Sequence, residues 1–297
     1  MPRAVPPADV GRHRLAVVGA ALLFSTGGAG IKWSALGGWH IAGLRSAVAA
    51  IALAALFPSV RRGFSLATLG VGCAFASCLV LFVLGNKLTT AANTIFLQSA
   101  TPLYLLLLAP RLLGEHIRRR DLLVMGVLAS GLALFYLEGA PATLSAPRPL
   151  LGNLLATASG FAWACTLLGL RWQEERGREP GEAMRSVFAG NVIAVLACAG
   201  PMLSGGFEAL GAFDVAIVLY LGVVQIGVAY ALLTYGLRGV GAFEGSLLIL
   251  VEPAVSPLWT WWLHGERSGP LALLGGGLIL AASTVKGWLD RRASPAD

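Results

Sequence analysis

One stretch of this sequence occurs twice, and the duplication constrains the fold more than any other feature. Pro102 lies in an apolar run that closes with Gly114-Glu115, and Pro253 lies in a second run that closes with Gly265-Glu266. The second copy follows the first at a constant distance of 151 residues, without a gap. At that distance the flanking residues Gly85, Lys87, Ala91 and Gly126 correspond to Gly236, Arg238, Ala242 and Gly277. The chain therefore contains an internal duplication.

The composition shows that the duplicated unit belongs in a membrane. Hydrophobic residues make up 56% of the 297 residues, charged residues make up only 12%, and the mean hydropathy is +0.74. Soluble domains carry about 25% charged residues, so the chain is predicted to be an integral membrane protein. The net charge of +7 does not indicate a nucleic-acid partner, because the arginines stand at the ends of apolar runs. The four cysteines lie inside apolar runs without metal-ligand spacing, which favours a packing role.

The apolar runs predict the number of membrane spans. A bilayer core of about 30 Å needs about 20 apolar residues per helix. Reading the runs between charged or Gly/Pro breaks predicts ten spans, near residues 15–33, 39–58, 66–85, 90–110, 121–138, 150–170, 186–204, 213–236, 243–263 and 270–288. We therefore expect an all-α integral membrane protein in which no loop is long enough to hold a soluble domain.

Basic residues mark one face of the predicted bundle. Arginines cluster before the first span and after the second, fourth, sixth, eighth and tenth spans, as at Arg12, Arg14, Arg61, Arg62, Arg118, Arg119, Arg120, Arg176, Arg178, Arg238, Arg291 and Arg292. The opposite loops carry chiefly Lys87, Arg148 and Arg267. By the positive-inside rule both termini are cytoplasmic, which requires an even number of spans. We expect a multi-pass protein of the inner (plasma) membrane.

The two copies are predicted to cross the membrane in opposite directions. Residues 15–138 form the first five-helix repeat and residues 150–288 the second, and five crossings is an odd number. The beginnings of the repeats also agree, since Gly30, Lys32, Trp33, Arg45 and Ser46 correspond to Gly169, Arg171, Trp172, Arg185 and Ser186 at distances of 139 or 140 residues. Inverted repeats place a substrate site near the bilayer midplane, between the two halves.

These residues resemble the drug/metabolite transporter superfamily, in its two-domain EamA-type branch. That family shows a basic residue after the first helix, an arginine early in the second, an aromatic residue in the first helix of each repeat, and a proline followed by Gly-Glu in the fourth and ninth helices. The matching residues here are Lys32, Arg45, Phe24, Trp163, Pro102 and Pro253. The resemblance covers roughly Leu15 to Trp288 and is closest to YddG-type exporters of amino acids and metabolites. It implies a membrane transporter.

Five residues are predicted to contact the substrate. Gln98 and Gln225 lie deep in apolar runs, and polar side chains are costly in lipid, so we favour a cavity position for both. Phe24, Trp163 and Tyr230 are aromatic candidates for the wall of the same cavity. The alternatives for these rings are core packing or an interfacial belt, and the mid-span positions of Trp163 and Tyr230 argue against the belt.

A second group is predicted to shape the gates. Glu252 either carries a proton or binds a substrate cation, unless Arg45 or Lys32 pairs with it. Pro102 and Pro253 each leave a carbonyl without its helical donor, and we expect them to bend their helices near the cavity or its hinge. The resemblance adds Arg45 to this gating and structural group.

Two further features leave alternatives open. Gly27, Gly28 and Gly30 form either a closely packed helix interface or a flexible gate. Glu115 and Glu266 end helices beside glycine, and we expect them to cap loops or brace neighbouring helices.

The sequence carries no signature of ATP-driven or metal-dependent chemistry. It contains no Gly-rich loop ending in Gly-Lys-Ser or Gly-Lys-Thr, and its four histidines are scattered at span ends. We expect no cofactor, no catalysis, no nucleic-acid partner, and a small-molecule substrate in a lipid bilayer. The oligomeric state stays open, with a monomer compatible.

The predicted function is secondary transport, in which the protein exports small metabolites, with aromatic or other zwitterionic amino acids favoured. The alternatives are a multidrug exporter of hydrophobic cations, an integral-membrane enzyme and a channel. The enzyme would need a nucleophile, a metal site or paired carboxylates, and none is recognisable. Inverted repeats with paired prolines favour alternating access over a channel.

Overall fold

The computed structural model describes residues 7–112, 119–138, 142–175, 181–204, 210–237, 240 and 248–293. Over these residues the secondary structure is helical and includes no strand. The α-helices are α1 (Pro7–Ser25), α2 (Gly27–Trp33), α3 (Gly38–Leu56), α4 (Leu66–Leu88), α5 (Ala91–Gln98), α6 (Thr101–Leu112), α7 (Arg119–Leu137), α8 (Pro149–Glu175), α9 (Glu182–Ser204), α10 (Ala212–Leu219), α11 (Ala229–Leu237), α12 (Val251–His264) and α13 (Pro270–Ala293). Several residues singled out above lie outside the described ranges, namely Gly114, Glu115, His116, Arg118, Arg176, Arg178, Arg238 and Ala242.

The all-helical membrane fold predicted from the sequence is confirmed. Nine helical stretches among the described residues are long and apolar enough to cross a bilayer, and they correspond to the first eight and the last of the predicted spans. The predicted ninth span, 243–263, overlaps α12, which has 14 residues. Residues 241–247, which include the beginning of this predicted span, lie outside the described part of the chain.

Two of the predicted spans are interrupted rather than continuous. The first span is divided at Thr26, whose hydroxyl donates a hydrogen bond to the Leu23 carbonyl at 2.7 Å, so that α1 ends and α2 begins there. The fourth span is divided between Gln98 and Thr101, where α5 gives way to α6. An apolar run reads as continuous in the sequence, and for this reason the breaks were not predicted.

Each proline follows a short irregularity of the helical chain, at residues 99–100 before Pro102 and at Leu250 before Pro253. Pro102 is the second residue of α6, and Pro253 is the third residue of α12. The carbonyl expected to lack a donor is that of Gln98, and it accepts a hydrogen bond from the Thr101 hydroxyl at 2.6 Å. The helical bond missing at Pro102 thus coincides with the irregularity between α5 and α6, and the part of the two prolines in gating stays a prediction.

A wider helical segment connects α10 and α11. Residues Tyr220–Val228 follow π-helical hydrogen bonding and continue directly into α-helix on both sides. Such a segment adds residues to each turn and re-aims its side chains, and π-bulges are frequent at functional sites. The equivalent residues of the first repeat lie within the regular helix α4. The π segment carries Gln225.

The packing of the helices follows the duplication. α4 packs against α8 and α9, and the segment 220–237, which corresponds to it at 151 residues, packs against α1 and α3. A Cβ atom added at Gly85 of α4 would lie 3.3 Å from the Ala156 nitrogen, and one added at Gly236 of α11 would lie 3.0 Å from the Val17 nitrogen. Gly85 corresponds to Gly236 at 151 residues, and Val17 corresponds to Ala156 at 139. The same close helix contact thus occurs twice.

A buried ion pair ties the helices together at one end of the bundle. Lys32 Nζ lies 3.1 Å from Glu266 Oε1, and the two side chains are 6% and 2% exposed. Glu266 Oε2 accepts a hydrogen bond from the Ala91 N–H at 3.0 Å, at the beginning of α5. Lys32 also donates to the carbonyls of Thr89 and Ser145. These contacts agree with the expectation that Glu266 braces neighbouring helices.

The glycine-rich stretch of α2 is closely packed. A Cβ atom added at Gly28 would lie 3.1 Å from the Ala91 Cβ, and one at Gly30 would lie 3.0 Å from Leu221 Cδ2. At Gly27 it would lie 2.8 Å from Gln225 Nε2. The glycines therefore let α2 approach both α5 and the π segment, as the packing alternative predicts.

Candidate functional site

An open cavity of about 100 Å³ lies among helices of both predicted repeats. The wall is formed by Phe24, Arg45, Phe75, Cys78, Leu79, Phe82, Gln98, Trp163, Gln225, Ile226, Tyr230, Leu233, Ile249 and Glu252. All five residues predicted to contact the substrate are on this wall, and so are Arg45 and Glu252 of the gating group. Pro102 and Pro253 are not.

Much of the wall consists of equivalent positions from the two repeats. Phe24 and Trp163 correspond at a distance of 139 residues. The pairs that correspond at 151 residues are Phe75 with Ile226, Leu79 with Tyr230, Phe82 with Leu233, and Gln98 with Ile249. Nearly all of these side chains are apolar or aromatic. The duplicated framework therefore supplies a largely apolar lining.

The rings of Phe24 and Phe75 pack against Tyr230, and Trp163 packs against Phe75, to form one side of the cavity. The Tyr230 ring centroid lies 5.1 Å from that of Phe24 and 5.6 Å from that of Phe75, with interplanar angles of 69° and 90°. The Phe75 and Trp163 centroids are 6.3 Å apart. Edge-to-face packing at these distances is the geometry that aromatic quadrupoles favour. The result is a stiff aromatic surface suited to an apolar or aromatic group of a ligand.

The two glutamines reach the cavity from helical irregularities. Gln98 is the last residue of α5, directly before the break, and its Nε2 donates to the Cys78 Sγ at 3.3 Å. Gln225 lies in the π segment beside Gly27, and within the described part of the chain its buried Oε1 has no hydrogen-bond partner. A buried acceptor without a partner costs free energy, which a bound donor would recover.

Arg45 is the most deeply buried charge on the wall. The residue is 2% exposed, and its Nη2 donates to the Leu79 carbonyl at 3.2 Å. Its Nε finds no hydrogen-bond partner among the described residues. The guanidinium group carries five N–H donors, and the one hydrogen bond to the Leu79 carbonyl uses only part of this capacity.

Glu252, the second residue of α12, also lines the cavity. The sequence left open an ion pair with Arg45 or Lys32, but the described residues contain no such pair, and Lys32 binds Glu266 instead. The equivalent residue of the first repeat, Thr101, is held by the carbonyls of Gln98 and Gly160. The duplication has therefore placed a carboxyl group where the other half has a hydroxyl that is bonded to backbone.

Sequence reasoning missed the apolar part of the wall. Residues such as Phe75, Leu79 and Phe82 cannot be told from lipid-facing residues when only the sequence is read. The repeat offered a signal, since 151 residues separate Leu79 from Tyr230 and Phe75 from Ile226. Among the described residues no cluster of histidine, cysteine, aspartate and glutamate is arranged to hold a metal ion.

Comparison with known proteins places the chain among transporters. The sequence pattern of the EamA-like transporter family matches residues 150–285. The putative permease-like protein YdzE of Bacillus subtilis is 36% identical over 63 residues, which cover 21% of this chain and 81% of YdzE. The uncharacterized protein PA1977 of Pseudomonas aeruginosa is 37% identical over 186 residues, which cover 59% of this chain and 60% of that protein.

The fold also matches that of a protein solved by crystallography. The two chains superpose with a TM-score of 0.60 over 95% of this chain and 98% of the other, at 20% sequence identity. At this level of identity the likeness concerns the fold alone. The resemblance to YddG-type exporters in particular stays an expectation.

Proposed function

Because the chain belongs to the EamA-like transporter family, we propose that it is a secondary transporter that exports small metabolites by alternating access. The observation that carries the proposal is the cavity wall, which is built from equivalent positions of the two halves, such as Phe24 with Trp163 and Leu79 with Tyr230. Two similar packings of an inverted pair give inward-open and outward-open states around one site.

The proposal includes the two repeats and their orientation. Residues 15–138 and 150–288 are the inverted halves, and the repeated contacts of Gly85 with Ala156 and of Gly236 with Val17 support this assignment. Both termini face the cytoplasm, and the protein lies in the inner membrane.

Amino acids with aromatic or large apolar side chains are the proposed substrates. The rings of Phe24, Phe75 and Tyr230 suit the side chain, and the polar groups on the wall suit the charged end. Hydrophobic cations are the second candidate. The same aromatic surface with the carboxyl group of Glu252 favours them.

Reconstitution of the purified protein into liposomes tests the function. A panel of radiolabelled amino acids and hydrophobic cations is supplied on one side, and the transported solute is recovered and identified. Saturable flux of an unchanged amino acid is the expected result. Chemical conversion of the solute would indicate an enzyme, flux that does not saturate would indicate a channel, and exclusive flux of cations would favour the drug exporter.

A further inference from the structure

The two charged groups of the cavity wall, Arg45 and Glu252, have no counterpart on the wall from the other repeat. Arg185, the counterpart of Arg45, is not on the wall and donates instead to the Gly63 carbonyl at 3.2 Å. Thr101, the counterpart of Glu252, is bonded to backbone carbonyls. Each repeat therefore contributes one charge of its own to the cavity, a cation from the first and a carboxyl group from the second.

These two groups do not neutralise each other. Within the described part of the chain no ion pair joins Arg45 to Glu252, and Glu252 has no hydrogen-bond partner there. Charged groups inside a membrane protein that do not neutralise each other mark substrate or ion pathways. A ligand with both signs of charge would satisfy both groups at once.

We infer that Arg45 and Glu252 are the two charged subsites of the transport cavity, with Arg45 binding the carboxylate and Glu252 binding the ammonium group of a zwitterionic amino acid. This inference rests on the proposed transport function and adds the residues that select the substrate class. The planar guanidinium group presents two parallel N–H donors to a carboxylate. Its incomplete hydrogen bonding leaves donors for that purpose.

The pair of charges favours a zwitterion over other ligands. A hydrophobic cation would bind Glu252 but would meet the uncompensated charge of Arg45. An organic acid would bind Arg45 but would be repelled by Glu252. An amino acid matches both and places its side chain on the rings around Tyr230. Selectivity for a zwitterion thus follows from the two groups acting together.

The test compares three probes that share one ring and differ in charge. Phenylalanine carries both groups, phenethylamine lacks the carboxylate, and 3-phenylpropionate lacks the ammonium group. Proteoliposomes with the unmodified protein are expected to prefer phenylalanine. In Arg45→Gln the KM for phenylalanine should rise roughly ten- to a hundredfold, the effect of one lost charged hydrogen-bonding partner. Transport of phenethylamine should not fall. In Glu252→Gln, transport of 3-phenylpropionate should not fall while the KM for phenylalanine rises.

Arg185→Gln is the matched control, because it removes the equivalent arginine away from the cavity. It should leave the order of the three probes unchanged. An equal loss for all three probes in Arg45→Gln would show a structural role and overturn the inference.

If Arg45→Gln does not fold, Arg45→Lys takes its place. Retained preference for phenylalanine over phenethylamine supports the inference there, and an equal loss for both overturns it. Failure of the unmodified protein to move any amino acid would instead refute the proposed function.

Discussion

Polar atoms on the cavity wall have few partners within the protein, and this is where individual residues matter most. Gln225 Oε1 and Arg45 Nε are buried without hydrogen-bond partners in the described part of the chain. In contrast, the hydroxyl of Thr101 donates to the backbone carbonyls of Gln98 and Gly160. Residues that stay unsatisfied in the protein retain the capacity to bind a solute.

Trp163 gives a direct test of the aromatic surface. Trp163→Ala should raise the KM for an aromatic amino acid at least tenfold. The stacking of the substrate ring on Trp163 and the burial of its apolar surface together contribute about 1–3 kcal/mol. Uptake by proteoliposomes measures the change. Trp262→Ala is the control, because Trp262 is 73% exposed on the outside of the bundle and does not line the cavity. If both variants transport alike, the substrate does not contact Trp163.

The rule that polar and aromatic residues in mid-span face a cavity selected Gln98, Trp163, Gln225 and Tyr230, and the resemblance selected Phe24; all five line the cavity. Whether they bind the substrate stays a prediction. The same rule cannot identify the apolar residues of the wall, because a leucine that faces a cavity and a leucine that faces lipid cannot be distinguished in a sequence. Only the three-dimensional packing distinguishes them.

At the scale of the helices, continuous apolar runs predicted the spans but not their interruptions. Glycines do lie at both irregularities, Gly27 after Thr26 and Gly222 and Gly227 within the π segment. Glycine also serves close helix packing, so the sequence alone does not distinguish a helical irregularity from a packing contact. Each irregularity depends on contacts across the bundle, such as that between Gly27 and Gln225. The apolar runs therefore predict where a helix lies, whereas contacts with other helices decide where its geometry is irregular.

Close helix contacts predict which glycines the fold requires. A Cβ atom at Gly152 would lie 2.5 Å from the Thr89 nitrogen and 2.8 Å from the Leu88 carbonyl carbon, which are backbone atoms that cannot rotate away. Gly152→Ala should therefore lower the free energy of unfolding by about 1–3 kcal/mol. Thermal unfolding in detergent measures it. Gly70→Ala is the control, since nothing lies within 4 Å of its added Cβ. An unchanged melting temperature for Gly152→Ala would mean that α8 shifts freely against α4.

The prolines make a prediction about helix continuity. Pro102→Ala supplies an N–H that can bond to the Gln98 carbonyl, now held by the Thr101 hydroxyl, so α5 and α6 should join into a straighter helix. The fold should survive in this variant and in Pro253→Ala. Because the repeats are proposed to be inverted, the two variants should favour opposite facing states. The accessibility of introduced cysteines from each side of the membrane reports the bias. An equal change of accessibility in both variants would show that the prolines have no part in gating.

At the scale of the whole molecule, the arginine pattern predicts the orientation in the bilayer. Arg61 and Arg119 flank helices at the end of the bundle opposite the Lys32–Glu266 pair. A reporter that is active only in the cytoplasm should therefore be active when fused after Ala293, the last residue of α13, and inactive when inserted after Gly265. The reverse pattern would overturn both the topology and the assignment of inside and outside.

The buried Lys32–Glu266 pair should keep the outer end of the transporter closed. It connects α2 of the first half to the segment after α12 of the second, and Glu266 also holds the beginning of α5. Breaking a buried pair by removing one charge costs about 3–5 kcal/mol, because the other charge stays buried. Glu266→Gln keeps an acceptor for the Ala91 N–H and removes only the charge. Lys32 then regains hydration when the outer end opens, so the open state should gain population.

Cys78 is a native reporter for this opening, because it lines the cavity and is 5% exposed. With the other three cysteines changed to serine, an impermeant maleimide added from outside should label Cys78 several-fold faster in Glu266→Gln than in the parent. Asp121→Asn is the matched control, since it removes a pair with Lys286 of similar length, 3.2 Å, between the peripheral helices α7 and α13. Equal labelling in Glu266→Gln and Asp121→Asn would assign the Lys32–Glu266 pair to stability alone. Faster labelling in Glu266→Gln alone means that closure of the outer end depends on the charge of Glu266, in addition to the packing of α2 against α5 and the π segment.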